Sequence, residues 1–299
     1  MINIEDIRRR LLRNPEPKEV TEMRKHILSS FKNLEFIEDG HIYNLHNTDG
    51  TIINNIPSAS AIIKRFENEV NWDEISYNYA VRHDMDVDNV RRLWKENNLK
   101  ATNNGTQIHF YNEQLHNLIM FGDKYQLPEQ IKSQYEDGFL IPLGPKEEAG
   151  MKFWEDIMKL DNVYPLMAEC KMFMPVDNKY GIKEVFCGTA DTLFAFKRQG
   201  EWGIIQTDYK NNNSLTNDYN RNKHTMMKPP FDFLCDEALS HYEIQQGLYS
   251  LMIENLSYKV FDRQLIWLKD NGTYEKVKLH YFKDEIIDSF INNGFSKIK

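Results

Sequence analysis

Two neighbouring segments with strong strand character constrain the fold of this chain more than any other feature. Residues 183–197 and residues 203–210 are rich in β-branched and aromatic side chains, which favour β-strands. The short polar connection between them contains Gly200, and glycine is typical of β-hairpin turns. The pattern therefore predicts an antiparallel hairpin within a β-sheet.

This hairpin would gather charged side chains at one end of the sheet. Antiparallel pairing brings Asp191 and Asp208 together, and alternation along the strand places Asp208 and Lys210 on one face with Tyr209 on the other. Two converging carboxylates repel each other unless a cation lies between them, and oxygen ligands suit Mg²⁺ or Mn²⁺. Lys210 would then orient a water molecule or stabilise charge on a phosphate. The alternative is an ordinary hairpin with exposed charges.

The remaining segments predict a mixed α/β fold, of either the α/β or the α+β class. With 41% hydrophobic residues in 299, the chain can bury a sizeable core. We expect residues 1–100 to form a helical and hairpin extension that packs on a core of residues 101–299. Further helices are predicted within 1–33, 57–66, 72–120, 126–162, 236–255 and 283–293, and further strands within 35–53, 164–174, 260–268 and 273–281.

Composition and missing motifs argue against several classes of protein. The net charge of −8 argues against nonspecific coating of DNA, although it is compatible with a catalytic groove. No apolar run approaches the roughly 18 residues of a membrane span, and three cysteines are too few for a disulfide framework. The glycine-rich motifs of nucleotide-binding sites are missing. We therefore expect an intracellular, cytoplasmic protein with no membrane partner and no nucleotide cofactor.

Three further segments carry candidate site residues. His109 and Glu113 are one helical turn apart and share a face. Glu169 precedes the Asp191 strand, and Gln245 and Tyr249 share one face of a later helix, where they can hydrogen-bond phosphates or stack on bases. Each has a structural alternative: the histidine caps or packs a helix, Glu169 faces solvent, and the glutamine and tyrosine lie on an ordinary half-buried helix.

The order of these motifs resembles the RecB-like branch of the PD-(D/E)XK nuclease superfamily. That branch includes phage exonucleases and the mitochondrial genome-maintenance exonuclease. The motifs run G-T-x-x-H-x-x-x-E, then Glu169, then G-T-A-D, D-Y-K and Q-x-x-x-Y, and they span about residues 105–252. Upstream, His41-Ile-Tyr43 and the segment 56–63 (IPSASAII) are similar to the entry of phage-type members.

The resemblance implies a restriction-endonuclease-like core, in which helices flank a central mixed β-sheet. It further implies that His109, Asp191, Asp208 and the backbone carbonyl of Tyr209 bind Mg²⁺ or Mn²⁺. Lys210 would position the attacking water and stabilise the pentacovalent phosphate.

The resemblance also implies supporting roles. Glu113 and Glu169 would assist the catalytic residues. Gln245 and Tyr249 would support the site and contact the DNA strand. The N-terminal helices and hairpin would form a wall over the sheet that narrows access.

The expected function is a metal-dependent deoxyribonuclease that hydrolyses phosphodiester bonds, as an exonuclease acting on DNA ends or single strands. Proteins of a replication or recombination system are the expected partners, and the resemblance suggests a phage origin. One alternative is a non-catalytic nucleic-acid-binding or virion-associated protein that retains the nuclease fold. Another is a metal-dependent hydrolase of a different substrate, such as a nucleotide.

Overall fold

The computed structural model describes residues 4–177 and 183–293. The helices are α1 (Ile4–Arg13), α2 (Lys18–Phe31), α3 (Ala59–Ile63), α4 (Trp72–His83), α5 (Val87–Phe121), α6 (Glu129–Lys132), α7 (Pro145–Ile157), α8 (Asp218–Lys223), α9 (Ala238–Glu254) and α10 (Lys283–Asn293). The strands are β1 (Leu34–Ile37), β2 (Ile42–His46), β3 (Ile52–Ile53), β4 (Tyr135–Glu136), β5 (Phe139–Leu140), β6 (Val163–Asp177), β7 (Lys183–Arg198), β8 (Glu201–Lys210), β9 (Val260–Leu268) and β10 (Tyr274–Lys278).

Five strands form the central sheet, in the order β10-β9-β8-β7-β6. The predicted hairpin is confirmed: β7 and β8 pair antiparallel, with Arg198 opposite Glu201 and Gly200 in the turn at φ 86°. Strands β8 and β9 are parallel, so the sheet is mixed. A parallel pair needs a long crossover connection, and the segment containing α8 and α9 provides it.

Helices cover both faces of this sheet because successive β7 side chains point to opposite sides. Leu193 packs in a core with α2, α3 and α9, where Val20 and Ile27 are fully buried. Phe194, the next residue, packs in a second core with α5 and α7, against the buried Trp154. The predicted class, a mixed α/β fold with helices flanking a central mixed sheet, is confirmed at this level.

The N-terminal region follows the predicted outline with two differences. Helices α1 and α2 are separated at residues 14–17, as expected. The predicted hairpin within 35–53 is a three-stranded sheet, because β3 adds to β2. Helix α3 ends at Ile63 and does not run to Phe66, since the backbone N–H groups of residues 65 and 66 bond three residues back and close a tighter turn.

Helix α5 is longer than predicted and contains Gly105 in its interior. The sequence at Gly105 suggests a helix start for the segment that carries His109, and this is wrong, because the helix begins at Val87 and continues for 35 residues. The side chain of Asp86 caps this start, accepting a hydrogen bond from the backbone N–H of Asn89 at 3.1 Å. The expected boundary between residues 1–100 and 101–299 falls inside α5. No helix in the described ranges is both long and apolar enough to cross a lipid bilayer.

The segment 126–162 is less helical than predicted. Only α6 and α7 are helices there, and β4 and β5 form a small hairpin between them. The turn of this hairpin contains Asp137 and Gly138, both with positive φ (49° and 84°). Asp-Gly is a strong signal for such a turn, and it outweighs the helical pattern of its neighbours.

His116 on α5 allows a test of the core in which it lies. It is 2% exposed and contacts the ring of Trp154 edge-on at 5.3 Å. Burial, followed by the charge of Arg24, lowers its pKa to about 3. The unfolded chain therefore binds more protons than the folded protein below about pH 6.5. The free energy of unfolding should fall as the pH decreases from about 6.5 towards 3, by up to about 1.4 kcal/mol per pH unit.

The variant His116→Leu should reduce this dependence of the free energy of unfolding on pH, measured by urea unfolding at several pH values between about 6.5 and 3. The exposed His83 supplies the control, because His83→Gln should leave the slope unchanged. An unaltered slope in His116→Leu would contradict burial of a neutral imidazole in this core.

Candidate functional site

The β7–β8 hairpin brings the two aspartates together at one end of the sheet. Thr192 of β7 pairs with Thr207 of β8, so Asp191 and Asp208 are the next residues outward on their strands. The carboxylate of Asp191 accepts a hydrogen bond from the backbone N–H of Tyr209 at 2.9 Å. The ring of Tyr209 packs in the core on the opposite face, as predicted from alternation along the strand.

Helix α5 places His109 against Asp191. The Nδ1 atom of His109 lies 3.1 Å from the Oδ2 atom of Asp191. Burial lowers the pKa of His109, but the charge of Asp191 and its hydrogen bond outweigh burial, so the pKa is raised. Burial likewise raises the pKa of Asp191, but His109 and then Lys210 outweigh it, so this pKa is lowered. Both shifts favour a charged pair.

Glu169 joins this pair from the edge strand β6. It lies between the paired positions Ala168–Thr192 and Cys170–Ala190, which places it beside Asp191. Its backbone has a φ of 45°, a left-handed conformation that is unfavourable for a residue with a side chain. One ligand atom each from His109, Glu169 and Asp191 lies within 4.8 Å of the other two. Burial and then the charge of Asp191 raise the pKa of Glu169 to about 8.

Asp208 is held by different partners. The Nζ atom of Lys210 lies 2.6 Å from Oδ2 of Asp208, and Gln246 donates a hydrogen bond to Oδ1 at 3.0 Å. Burial and then the charge of Asp191 raise the pKa of Asp208 to about 6, although Lys210 opposes the shift. Burial lowers the pKa of Lys210, but Asp208 and Asp191 outweigh it and the pKa is raised. The ammonium of Lys210 also lies 4.5 Å from the centre of the Tyr242 ring.

A buried chain of polar side chains behind Asp208 was not anticipated from the sequence. Gln206 donates from Nε2 to the backbone carbonyl of Gln246 at 3.0 Å and also to its side-chain oxygen. Ser250 donates to Gln206 at 3.1 Å, and Arg263 donates to Ser250 at 2.7 Å. The side-chain oxygen of Gln246 accepts the hydrogen bond from Gln206, so the amide nitrogen of Gln246 must face Asp208. The available signal was a glutamine, Gln206, within an otherwise apolar strand segment.

The other predicted residues lie around the same site, but not in the three-residue group. Gln245 donates to the hydroxyl of Ser60 at 3.2 Å. Tyr249 is 4% exposed, and its ring packs so closely on Gly188 that a Cβ there would lie 2.3 Å from a ring carbon. Tyr249 therefore supports the site mainly by packing, and Gly188 is required by this close approach. Glu113 lies one turn further along α5, and burial raises its pKa.

An open cavity of about 1230 Å³ lies above these residues. Part of its wall comes from the N-terminal sheet, because Phe36, His41 and Tyr43 line it and the hydroxyl of Tyr43 lies 2.9 Å from that of Thr189. Of the N-terminal helices, α3 contributes Ser60 to this wall. Helix α2 packs against β6 in the core, and neither α1 nor α2 lines the cavity. The predicted site residues that line it are His109, Glu113, Glu169, Asp191, Gln245 and Tyr249.

Comparison with known proteins identifies no matching family model and no matching curated protein. The resemblance to PD-(D/E)XK nucleases therefore stays a prediction that rests on the motif residues and their order. The geometry described above stands independently of that resemblance.

The hydrogen bond from Gln246 to Asp208 can be tested through stability. Gln246→Leu removes this donor and leaves the buried amide of Gln206 without its side-chain acceptor. We expect the free energy of unfolding to fall by about 1–3 kcal/mol, the cost of unsatisfied buried polar groups. The matched change Gln245→Leu affects a partly exposed side chain one residue earlier, and should cost less than about 1 kcal/mol. Urea unfolding measures both, and equal losses would contradict a specific role of Gln246.

Proposed function

We propose that this protein is a Mg²⁺- or Mn²⁺-dependent deoxyribonuclease that hydrolyses phosphodiester bonds, acting as an exonuclease on DNA ends or single strands. One observation carries the proposal. A group of two carboxylates and an imidazole, Glu169, Asp191 and His109, lies in a large open cavity beside the buried pair Asp208 and Lys210. Carboxylates next to a fixed ammonium suit both metal binding and stabilisation of charge on a phosphate.

The three-residue group fits a small divalent cation. Carboxylate oxygen and imidazole nitrogen are suitable ligands for such an ion. One ligand atom each from His109, Glu169 and Asp191 lies within 4.8 Å of the other two, so the group would contract somewhat to hold the ion. The raised pKa values of Glu169 and Asp208, about 8 and about 6, reflect burial and the charge of Asp191. A dication would offset that charge.

The predicted ligand set changes in one respect under this proposal. Glu169, expected to be a helper, takes a ligand position with His109 and Asp191. Asp208 is engaged by Lys210 and Gln246 and lies next to this group. The resemblance implies that Asp208 and the backbone carbonyl of Tyr209 are also metal ligands. Under this proposal they would join the group when metal and substrate are bound.

The chain's own residues then have separable roles. A bound divalent cation lowers the pKa of water and offsets negative charge on a phosphate. Lys210 keeps its proton because its pKa is raised, so it acts as a fixed positive charge against the phosphate and not as a base. Asp208 and the ring of Tyr242 hold its ammonium in place. Gln246 in turn holds Asp208, so the position of Lys210 depends on the buried amide chain.

We also propose that the core is restriction-endonuclease-like, of the PD-(D/E)XK type. Supporting this, the motif-bearing elements α5, β6, β7, β8 and α9 follow one another in the implied order, and all of them except β8 contribute residues to the cavity wall. The preference for DNA ends or single strands rests on the resemblance.

The first test is cleavage of end-labelled single- and double-stranded DNA with Mg²⁺, Mn²⁺ or EDTA. Wild-type protein should cleave with either metal and not in EDTA, and the product ladder reports end preference. Asp191→Asn should abolish cleavage, and Lys210→Ala should lower the rate by about 10²–10³-fold, typical of losing one group that stabilises transition-state charge.

Lys259→Ala is the control for these variants, because Lys259 pairs with Glu201 at the opposite end of β8 and should leave the rate unchanged. Wild-type rates in Asp191→Asn would refute the site. DNA binding without cleavage under any metal condition would favour the non-catalytic alternative. Cleavage of nucleotides with DNA left intact would favour a different hydrolase.

The role of Glu169 as a ligand is tested by Mn²⁺ binding, measured as the loss of the free-ion signal in electron paramagnetic resonance. Glu169→Gln should weaken Mn²⁺ binding at least about tenfold, because it removes a ligand charge. Glu113→Gln is the matched control on α5, outside the three-residue group, and should change affinity by less than about threefold. If Glu113→Gln weakened Mn²⁺ binding more than Glu169→Gln did, the ligand position would belong to Glu113.

A further inference from the structure

Exposed apolar side chains are concentrated in one part of the described structure. The arm, defined as residues 70–100, comprises α4 and the first part of α5, which pack against each other. No residue from Arg91 to Gln107 is buried, so this half of α5 stands away from the core. The exposed large hydrophobic residues of the arm are Val70, Trp72, Ile75, Tyr77, Tyr79, Val81, Met85, Leu93 and Leu99. A patch of this kind marks an interaction surface.

The arm is distinguished by its aromatic rings. Trp94 lies edge-on to Trp72 at 6.3 Å and to Tyr79 at 5.4 Å, and Tyr79 stacks on His83 at 4.1 Å. Trp72 is 64% exposed and Tyr77 is 59% exposed. Exposed aromatic rings are the platforms on which unpaired bases stack, irrespective of base identity.

One stretch of α5 next to these rings is basic. Between Val90 and Gly105 the sequence has four basic residues and one acidic residue, whereas the arm as a whole has five basic and six acidic residues. Arg91 pairs with Asp73 of α4, and Arg92 with Glu96. Lys95 and Lys100 are exposed and make no ion pair with any described residue. These ammonium groups are available to a phosphate backbone.

The same helix connects the rings to the cavity. His109 follows Trp94 by fifteen residues on α5, which corresponds to about 22 Å along the helix axis. Asn103, Thr106 and Gln107 of the intervening turns line the cavity. A stacked strand rises about 3.4 Å per nucleotide, so roughly six or seven nucleotides bridge this distance.

We propose that the arm binds single-stranded DNA by stacking bases on Trp72, Tyr79 and Trp94, with Lys95 and Lys100 on the backbone, and leads the strand along α5 to the cavity. The destination of the strand rests on the proposed nuclease function. The binding itself does not, because it needs neither metal nor the residues of the site. Lys95 and Lys100 lie between Trp94 and the cavity-lining residues of α5, on the path of a strand that leaves the rings for the cavity.

The test is binding of a fluorescein-labelled oligothymidylate of about 20 nucleotides, long enough to cover both cavity and arm, by fluorescence anisotropy in EDTA. Trp72→Ala and the double variant Lys95→Glu/Lys100→Glu should each weaken binding about 5- to 100-fold. Tyr219→Ala is the matched control, since Tyr219 is an exposed aromatic outside the arm. Trp72 is largely exposed, so an unchanged melting temperature should verify that its variant folds.

The outcomes separate the two proposals. Weakened binding in the arm variants supports the arm even if no metal gives cleavage, and in that case only the nuclease fails. Wild-type affinity in the arm variants overturns the arm proposal even if the protein cleaves DNA. Sedimentation velocity tests whether the arm instead binds a second copy of this chain. That assignment would follow if the wild-type protein self-associates, Trp72→Ala abolishes the self-association, and the variant keeps wild-type affinity for DNA.

Discussion

The mutual repulsion of three neighbouring carboxylates, the half-buried Glu169 and Asp191 and the buried Asp208, is the constraint on which the surrounding structure depends. They come from three adjacent strands, so the sheet itself forces them together. Two cationic side chains from different elements offset part of this repulsion. His109 from α5 pairs with Asp191, and Lys210 from β8 pairs with Asp208. Glu169 has no such partner within the group, and its raised pKa records the remaining imbalance. An incoming cation would relieve that imbalance, which makes a metal a physically natural occupant.

A chain of buried hydrogen bonds behind Asp208 helps to fix positions in the site. Gln246 and Gln206 are fully buried, and together with Ser250 and Arg263 they form a chain from Asp208 to strand β9. Such a chain is stabilising only when every member is satisfied. It also links the orientation of one carboxylate to the packing of a whole helix on the sheet. The site is therefore a property of the β8–α9 contact as much as of the residues that line the cavity.

Features set by residues close together in the sequence were predicted correctly. Features that depend on the exact rotation of a helix, or on a local irregularity of a strand, were missed. The β7–β8 hairpin and its paired aspartates are local, and alternation sufficed to place them. By contrast, Gln246 and Gln245 are adjacent on α9, and 100° of helix rotation decides which of them faces Asp208. The placement of Glu169 depends on a left-handed backbone within an irregular strand, which alternation does not anticipate. The glycine at 105 suggested a helix start, but the helix begins with a cap at Asp86, and eighteen helical residues precede the glycine.

The two halves of helix α5 differ in how strongly they resist local unfolding. Gly105 lies where the helix passes from exposed residues to the buried stretch that begins at Ile108. Glycine weakens a helix by about 0.5–1 kcal/mol relative to alanine, and no residue from Arg91 to Gln107 is buried to compensate, whereas Val90 near the helix start is buried. Local unfolding of α5 should therefore be easiest in this middle stretch and should stop just before His109. The ion pair of His109 with Asp191 would then stay intact.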